Sequence, residues 1–276
     1  MFRLGITDKW SVQTKQKARR LSCIFVLMLK RFFSFFVFVC LSAALQAQEP
    51  STDTKTIYKK EIYGGAFLHT QGYGANLRQT KFISVDRKNI LSIELSTMKH
   101  AKEFKTYNPY FEDRRGFVYG KKNSLTVLRP AIGRQKIHFQ KLSKRGVQIS
   151  SIYMGGASIG IVKPVYLVIV KPASSGGDSQ REVLEKYNEN EHQLSMIKGR
   201  GPMLKGLEES EINAGLNLKY ALNFEYAPSE EKYTALEVGL NFELFYKPVR
   251  IMAFDNDQQA FLTLYANLQF GKKYLR

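Results

Sequence analysis

From Ile212 to Tyr226 the chain alternates without a break. Ile212, Ala214, Leu216, Leu218, Tyr220, Leu222, Phe224 and Tyr226 are apolar, and between them lie Asn213, Gly215, Asn217, Lys219, Ala221, Asn223 and Glu225. The same period of two runs through Tyr233–Tyr246 and Gln259–Phe270. An extended strand points successive side chains to opposite faces, so each stretch reads as a strand with one greasy and one polar face. The greasy rows carry no formal charge, whereas the opposite rows hold Lys219, Glu225, Glu237 and Glu243 among Asn, Gln and Gly. Long strands of this kind cannot be left with open edges, and closing the sheet into a barrel removes the edges altogether.

Alternation alone does not say which row faces inward. A soluble lipocalin-like barrel has the same period with an apolar interior, and it stands as the second alternative, a periplasmic barrel binding an apolar ligand. Purity of the rows separates the two. A charge turned to lipid at the bilayer midplane costs ~2–4 kcal/mol, so a lipid-facing row must be clean while a lumen accepts charge. The expected fold is therefore all-β, an antiparallel up-and-down transmembrane β-barrel of eight strands, with ten as the alternative.

Candidate strands are Glu61–His69, Tyr73–Ser84, Asn89–Lys99, Asn123–Lys136, Val147–Ile161, Ile212–Tyr226, Tyr233–Tyr246 and Gln259–Phe270, with Val165–Val170 a strand end or an extra strand. Short links "VDRK", "IHFQKLSKRG" and "APSEEK" alternate with long ones near 100–122 and 171–211, and only "TQG" breaks the rule. Short turns on one rim and long loops on the other are the pattern of an outer-membrane barrel. Within the second long link, "REVLEKYNENEHQL" reads as a surface helix.

Upstream of the barrel, "MLKRFFSFFVFVCLSAALQAQEP" has the layout of a secretory signal: Lys30 and Arg31, then an apolar run from Phe32 to Leu45, then Leu45-Gln46-Ala47. The run is too short for a comfortable membrane anchor, which needs ~20 apolar residues. The organisation expected is a leader over 1–47, with translation starting at Met28 and cleavage after Ala47, a polar lead-in over 48–60, and the barrel over 61–276. Cys23, Cys40 and Trp10 all fall in the leader, so the exported chain has neither thiol nor tryptophan. Removing the leader's eight basic residues and one acidic residue from totals of 42 and 24 leaves a net charge of +11. For an exported protein this excess reads first as plain solvated charge, and anionic lipid or lipopolysaccharide is a more accessible partner for it than nucleic acid.

The terminal strand "FLTLYANLQFGKKYLR" and the blocks "YNPYFEDRRGFVYGKKNSLTVLRP" and "GGASIGIVKPVYL" resemble a family of exported outer-membrane β-barrel proteins of Bacteroidota-type Gram-negative bacteria. The resemblance covers most of the exported chain and implies no activity. Many such barrels end on an aromatic residue read by the insertion machinery. This sequence ends Tyr274-Leu275-Arg276, which leaves Phe270 for that part.

Chemistry-bearing motifs are sparse. His69, His100, His138 and His192 show no metal-ligand spacing, and no cysteine is left to help. The sharpest enzymatic reading is a lipid hydrolase in which Ser96, His100 and Glu94 act together facing lipid at the rim. Against it stands the ordinary role of polar residues in a barrel wall, and no catalytic, cofactor-binding or metal residue is assigned. "GRGPMLKG" (Gly199–Gly206) lacks the ending of a phosphate loop and reads as a flexible loop, while the glycines of "MGGASIG" (Met154–Gly160) read as places of bending or close packing. The loop His100–Lys122 interleaves six cations with six aromatics and is read as a self-packed cover of the barrel mouth, or else as a site for phosphate-bearing glycans or a protein partner. The expected function is a structural, binding or assembly role in the outer membrane without a wide pore and without a cofactor. The partners expected are membrane lipid, lipopolysaccharide and the barrel-insertion machinery, with no nucleic acid and with the protein partner unknown.

Overall fold

The computed structural model describes residues 60–111, 115–141, 146–172, 180–226 and 231–274. The leader, the start at Met28, the cleavage point and all of the lead-in before Lys60 lie outside the described residues. The strands are β1 (Lys60–His69), β2 (Gly72–Phe82), β3 (Arg87–Met98), β4 (Lys105–Thr106), β5 (Phe117–Val118), β6 (Asn123–Phe139), β7 (Gln148–Pro164), β8 (Tyr166–Pro172), β9 (Gln180–Lys186), β10 (Ile197–Arg200), β11 (Glu211–Glu225), β12 (Lys232–Val249) and β13 (Gln258–Tyr274). Eight of them close into a barrel in the order β1-β13-β12-β11-β7-β6-β3-β2. Every neighbouring pair in the wall is antiparallel.

Ten wall strands are thereby excluded. Val165 interrupts the extended chain after β7, and β8 leaves the wall to form a separate sheet in the order β10-β8-β9. With β7 already paired to β6 and β11, the closed wall has no edge to offer it. The expected helix is corrected as well. Gln180–Lys186 is β9, laid against β8 from Tyr166↔Lys186 to Pro172↔Gln180. An isolated short helix is marginal in water, whereas the open edge of β8 supplies a complete ladder of backbone bonds.

The register fixes the barrel's geometry. Starting at Lys60, the partners run to Lys81, Asn89, Arg134, Tyr153, Tyr220, Leu240 and Leu264. The backbone of Leu264 then meets Thr70, ten residues further along the chain than the starting point. A stagger of this size over eight strands tilts them by about 40° from the axis.

The walls have inverted polarity. On β11, Leu218 is 63% exposed and its neighbour Asn217 only 3%. Charged residues of the opposite row, among them Lys219, Glu225, Glu237 and Glu243, are buried inside. The barrel is thus of the transmembrane type: apolar side chains cover the middle of its outside, and its inside holds buried charged and polar side chains among apolar clusters. Close packing of β6 on β7 needs glycine at 156, where an added Cβ would lie 2.1 Å from the Pro130 carbonyl oxygen.

Candidate functional site

Inside the wall, five glutamates meet six cations in three groups. In the first, toward the short-turn rim, Lys88 Nζ donates to both Glu61 carboxylate oxygens at 2.8 Å, and Thr80 donates to Oε2 at 2.8 Å. Glu225 accepts from Lys273 at 2.6 Å, Lys141 at 3.1 Å and Gln148 at 3.3 Å.

The second group lies deeper. The Arg78 guanidinium donates to Glu94 at 2.9 Å, to Ser92 at 3.2 Å and through two nitrogens to Glu237. Glu94 also accepts from Lys219 at 2.6 Å, while Glu237 accepts from Tyr265 at 2.6 Å and Gln269 at 3.0 Å. The Lys219 ammonium sits 4.5 Å from the centre of the Tyr265 ring. Each carboxylate is therefore ringed by donors, the condition on which charges tolerate burial.

In the third group, Arg129 pairs with Glu243, which also accepts from Ser158 at 2.9 Å. Asn217 donates to that same Ser158 hydroxyl at 3.2 Å. Beyond this level the lumen turns apolar. Met98, Leu125, Val127, Phe245 and Phe261 pack with Val249 at the end of β12 and with Ile251 and Met252 from the connection between β12 and β13.

The long-loop rim carries a built structure rather than loose connections. Phe117, Leu167, Ile169, Tyr187, Ile197 and Ala253 form a separate buried cluster. The Asn108 amide ties it together, donating to the carbonyls of Leu194, Ser195 and Ile197 at 3.0, 3.2 and 2.8 Å. Burial here pushes the Tyr187 hydroxyl up to about 12. In the loop His100–Lys122, Phe117 is buried, whereas Phe104, Tyr107 and Tyr110 are exposed. The run Gly199–Gly206 is divided between the end of β10 and a turn, with Gly206 at φ +86°, a backbone setting that suits glycine. That corrects the reading of the whole run as a loop.

Lys102 bonds Asp255 across the rim at 2.9 Å and holds its carboxyl below the ordinary value, with the Asn256 backbone N–H adding to the effect. Lys171, donating at 2.6 Å, does the same for Glu185, which also faces His192 at 3.1 Å.

The hydrolase constellation is not assembled. Ser96 is buried in the lumen-facing row, Glu94 is engaged by Lys219 and Arg78, and the His100 ring faces Asp255 at 3.3 Å and Gln258 at 3.1 Å. Lipid therefore has no access to Ser96 from outside, which the hydrolase alternative requires. The cause is strand parity: Leu95 takes the outward position and Ser96 the inward one. His69, His138 and His192 each serve a local bond, to Gln71, Ser151 and Glu185. Among the described residues, no three His, Cys, Asp or Glu side chains gather as a metal site.

Arg78, Lys88 and Arg129 were not singled out from the sequence, though they anchor all three lumen groups. Their signal was parity with the clean rows: Leu77, Leu91 and Leu128 face outward, so residues one position away or at odd spacing from them face in.

The fold and its filled, charged lumen define the class: a small closed transmembrane-type barrel. Neither a family model nor a curated protein matches the sequence. Among solved structures, the chain is similar to Ail, the attachment invasion locus protein of Yersinia pestis, at 10% identity and a TM-score of 0.38, covering 79% of this chain and 99% of that one. It is also similar to the N-terminal β-barrel domain of Pseudomonas aeruginosa OprF, at 12% identity and a TM-score of 0.33, covering 80% and 100%. Neisserial surface protein A is a third, at 10% identity and a TM-score of 0.35, covering 77% and 94%.

Proposed function

We propose that the chain is an integral outer-membrane protein of a Gram-negative envelope, of the Bacteroidota-type family that its sequence blocks resemble. On this reading it is exported by a signal within residues 1–47, and the short-turn rim faces the periplasm. Its role is structural, binding or assembly at the envelope rather than conduction through a wide pore. One observation carries the reading: buried ion pairs bridge the inside of a closed wall whose outer band is apolar. The opposite arrangement would serve a soluble carrier. An eight-stranded barrel has an interior that side chains can fill, and here ion pairs and the Met98–Phe261 cluster occupy it. Lipopolysaccharide at the exposed aromatics and cations of the long-loop rim, and the insertion machinery at the β13 face that carries Phe270, are the partners proposed.

Membrane fractionation with gel mobility before and after heating tests this. The protein should partition with outer membranes and shift in mobility when boiled. Recovery as a soluble periplasmic protein would overturn the reading. Purified protein should release no fatty acid from phospholipid, and a Ser96-dependent release would restore the hydrolase alternative.

A further inference from the structure

The outward row that starts at Lys60 contains a run of cations. Lys60 stands directly opposite Lys81, Lys81 opposite Asn89, and Asn89 opposite Arg134. One step nearer the short-turn rim, Arg87 stands opposite Lys136. Like charges on facing strand positions repel and weaken a sheet. Among the described residues no carboxylate pairs with Lys60, Lys81 or Arg134, and Arg87 has only the exposed Asp86 at 3.6 Å. The wall thus presents unneutralised positive charge to whatever surrounds it.

The next outward row, one step toward the middle of the barrel, differs in kind: Ile62, Gln79, Leu91 and Ile132 face one another in register. Leu91 and Ile132 are 53% and 69% exposed. Between the two rows runs an open groove of about 630 Å³, lined by Gln79, Lys81, Asn89, Leu91, Ile132 and Arg134. Followed onward around the tilted wall, the cationic row climbs into the apolar band and becomes Tyr153, Tyr220, Leu240 and Leu264. Cations therefore mark the groove at the band's short-turn margin, with apolar side chains immediately above.

We propose that this groove on β2, β3 and β6 is a binding site for an anionic glycerophospholipid of the inner leaflet. The phosphate lies among Lys81, Asn89 and Arg134, and an acyl chain runs along Leu91 and Ile132. The proposal rests on the membrane reading above and adds a lipid class and a place to it. Arg134 offers a planar fork of donors suited to a phosphate, Lys81 a point charge, and the Asn89 amide a neutral donor. The apolar row supplies what a free anion does not need.

Tryptophan fluorescence tests it, because Trp10 in the leader is the chain's only tryptophan. Barrels lacking residues 1–47 and carrying Ile132→Trp, or Leu236→Trp on the β12 wall as a control, are folded into vesicles of phosphatidylcholine. Brominated phosphatidylglycerol or brominated phosphatidylcholine is then added as quencher. At 132, phosphatidylglycerol should quench at lower mole fraction, with a preference of about fivefold for each cation engaged. The double change Lys81→Gln and Arg134→Gln should erase the preference, while Lys81→Arg with Arg134→Lys should keep it. Equal quenching by the two lipids at 132, or the same preference at 236, would overturn the site. A preference erased by excess inorganic phosphate would also overturn it and assign the row to a free anion. Absence of quenching by either lipid at both positions would instead sink the membrane reading.

Discussion

Lys219 on β11 reaches Glu94 on β3 at 2.6 Å, although β11 and β3 share no edge in the wall. The bond crosses the lumen. Arg78 on β2 does the same to Glu237 on β12, and Arg129 on β6 to Glu243 on β12. At these levels opposite walls are bridged by ion pairs, alongside apolar clusters elsewhere in the lumen.

Glu94 is the member whose loss should cost most, because it neutralises Lys219 and part of Arg78 together. Glu94→Ala leaves buried cations uncompensated, a defect of about 3–5 kcal/mol. Replacing the pair together, Glu94→Leu with Lys219→Met, should cost much less, because no lone ammonium remains. Urea titrations of folding into lipid vesicles measure both. A pair variant as unstable as Glu94→Ala would show that the charges hold the walls in a way that apolar contacts cannot.

Leu218 and Asn217 test the orientation of the wall. Leu218→Arg should lower the stability of the inserted barrel by ~2–4 kcal/mol if position 218 faces lipid. Asn217→Arg should cost less, since it stands in register with Glu243. Single cysteines separate this from a soluble barrel. One at 218 should react with a lipid-soluble probe and resist aqueous maleimide, and labelling only by the aqueous reagent at 217 would contradict the orientation.

Gly156 is a packing constraint and not a hinge. A methyl group there meets the Pro130 carbonyl at 2.1 Å and the Ala131 Cα at 2.6 Å, so β6 and β7 must separate. Gly156→Ala should destabilise the barrel by about 1–3 kcal/mol, the usual cost of overpacking. Gly155→Ala meets its nearest atom at an ordinary 3.4 Å and should be mild. The heating temperature at which the folded band disappears from a gel compares the two, and equal loss would refute the assignment.

Acid should loosen the long-loop rim. Asp255 and Glu185 have carboxyls held below their ordinary values, first by Lys102 and by Lys171 respectively. For depressed carboxyls the stabilisation is complete above the ordinary carboxylate value of ~4 and fades as pH falls through the lowered one. Hydrogen exchange at the Lys121 and Ala253 amides, followed downward from neutral pH, should quicken only in that acid range. Faster exchange on raising the pH from neutral, beyond the intrinsic base catalysis of exchange, would contradict the sign.

How much of this was legible in advance follows from the range of each interaction. β11, β12 and β13 could be read residue by residue because a lipid-facing row excludes charge at every second position, a rule local to each strand. Their limits shifted by only a few residues, with Ile212–Tyr226 becoming Glu211–Glu225 and Gln259–Phe270 becoming Gln258–Tyr274. Parity was present in β2 and β3 too, yet Arg78 gave no hint that it would meet a carboxylate 159 residues away. Ser96 and His100 lay close in sequence and looked like a pair, but one turned into the lumen and the other joined a rim loop. Alternation, charge exclusion and connection length were therefore determined by the sequence, because each acts between near neighbours or against the surrounding solvent. Closure decided the rest. Once the register ran ten residues around the wall, it set which glutamate faced which cation, denied β8 a place in the barrel and drew Gln180–Lys186 into a strand. Those outcomes depend on which backbone edges and charges meet after the chain has circled back on itself.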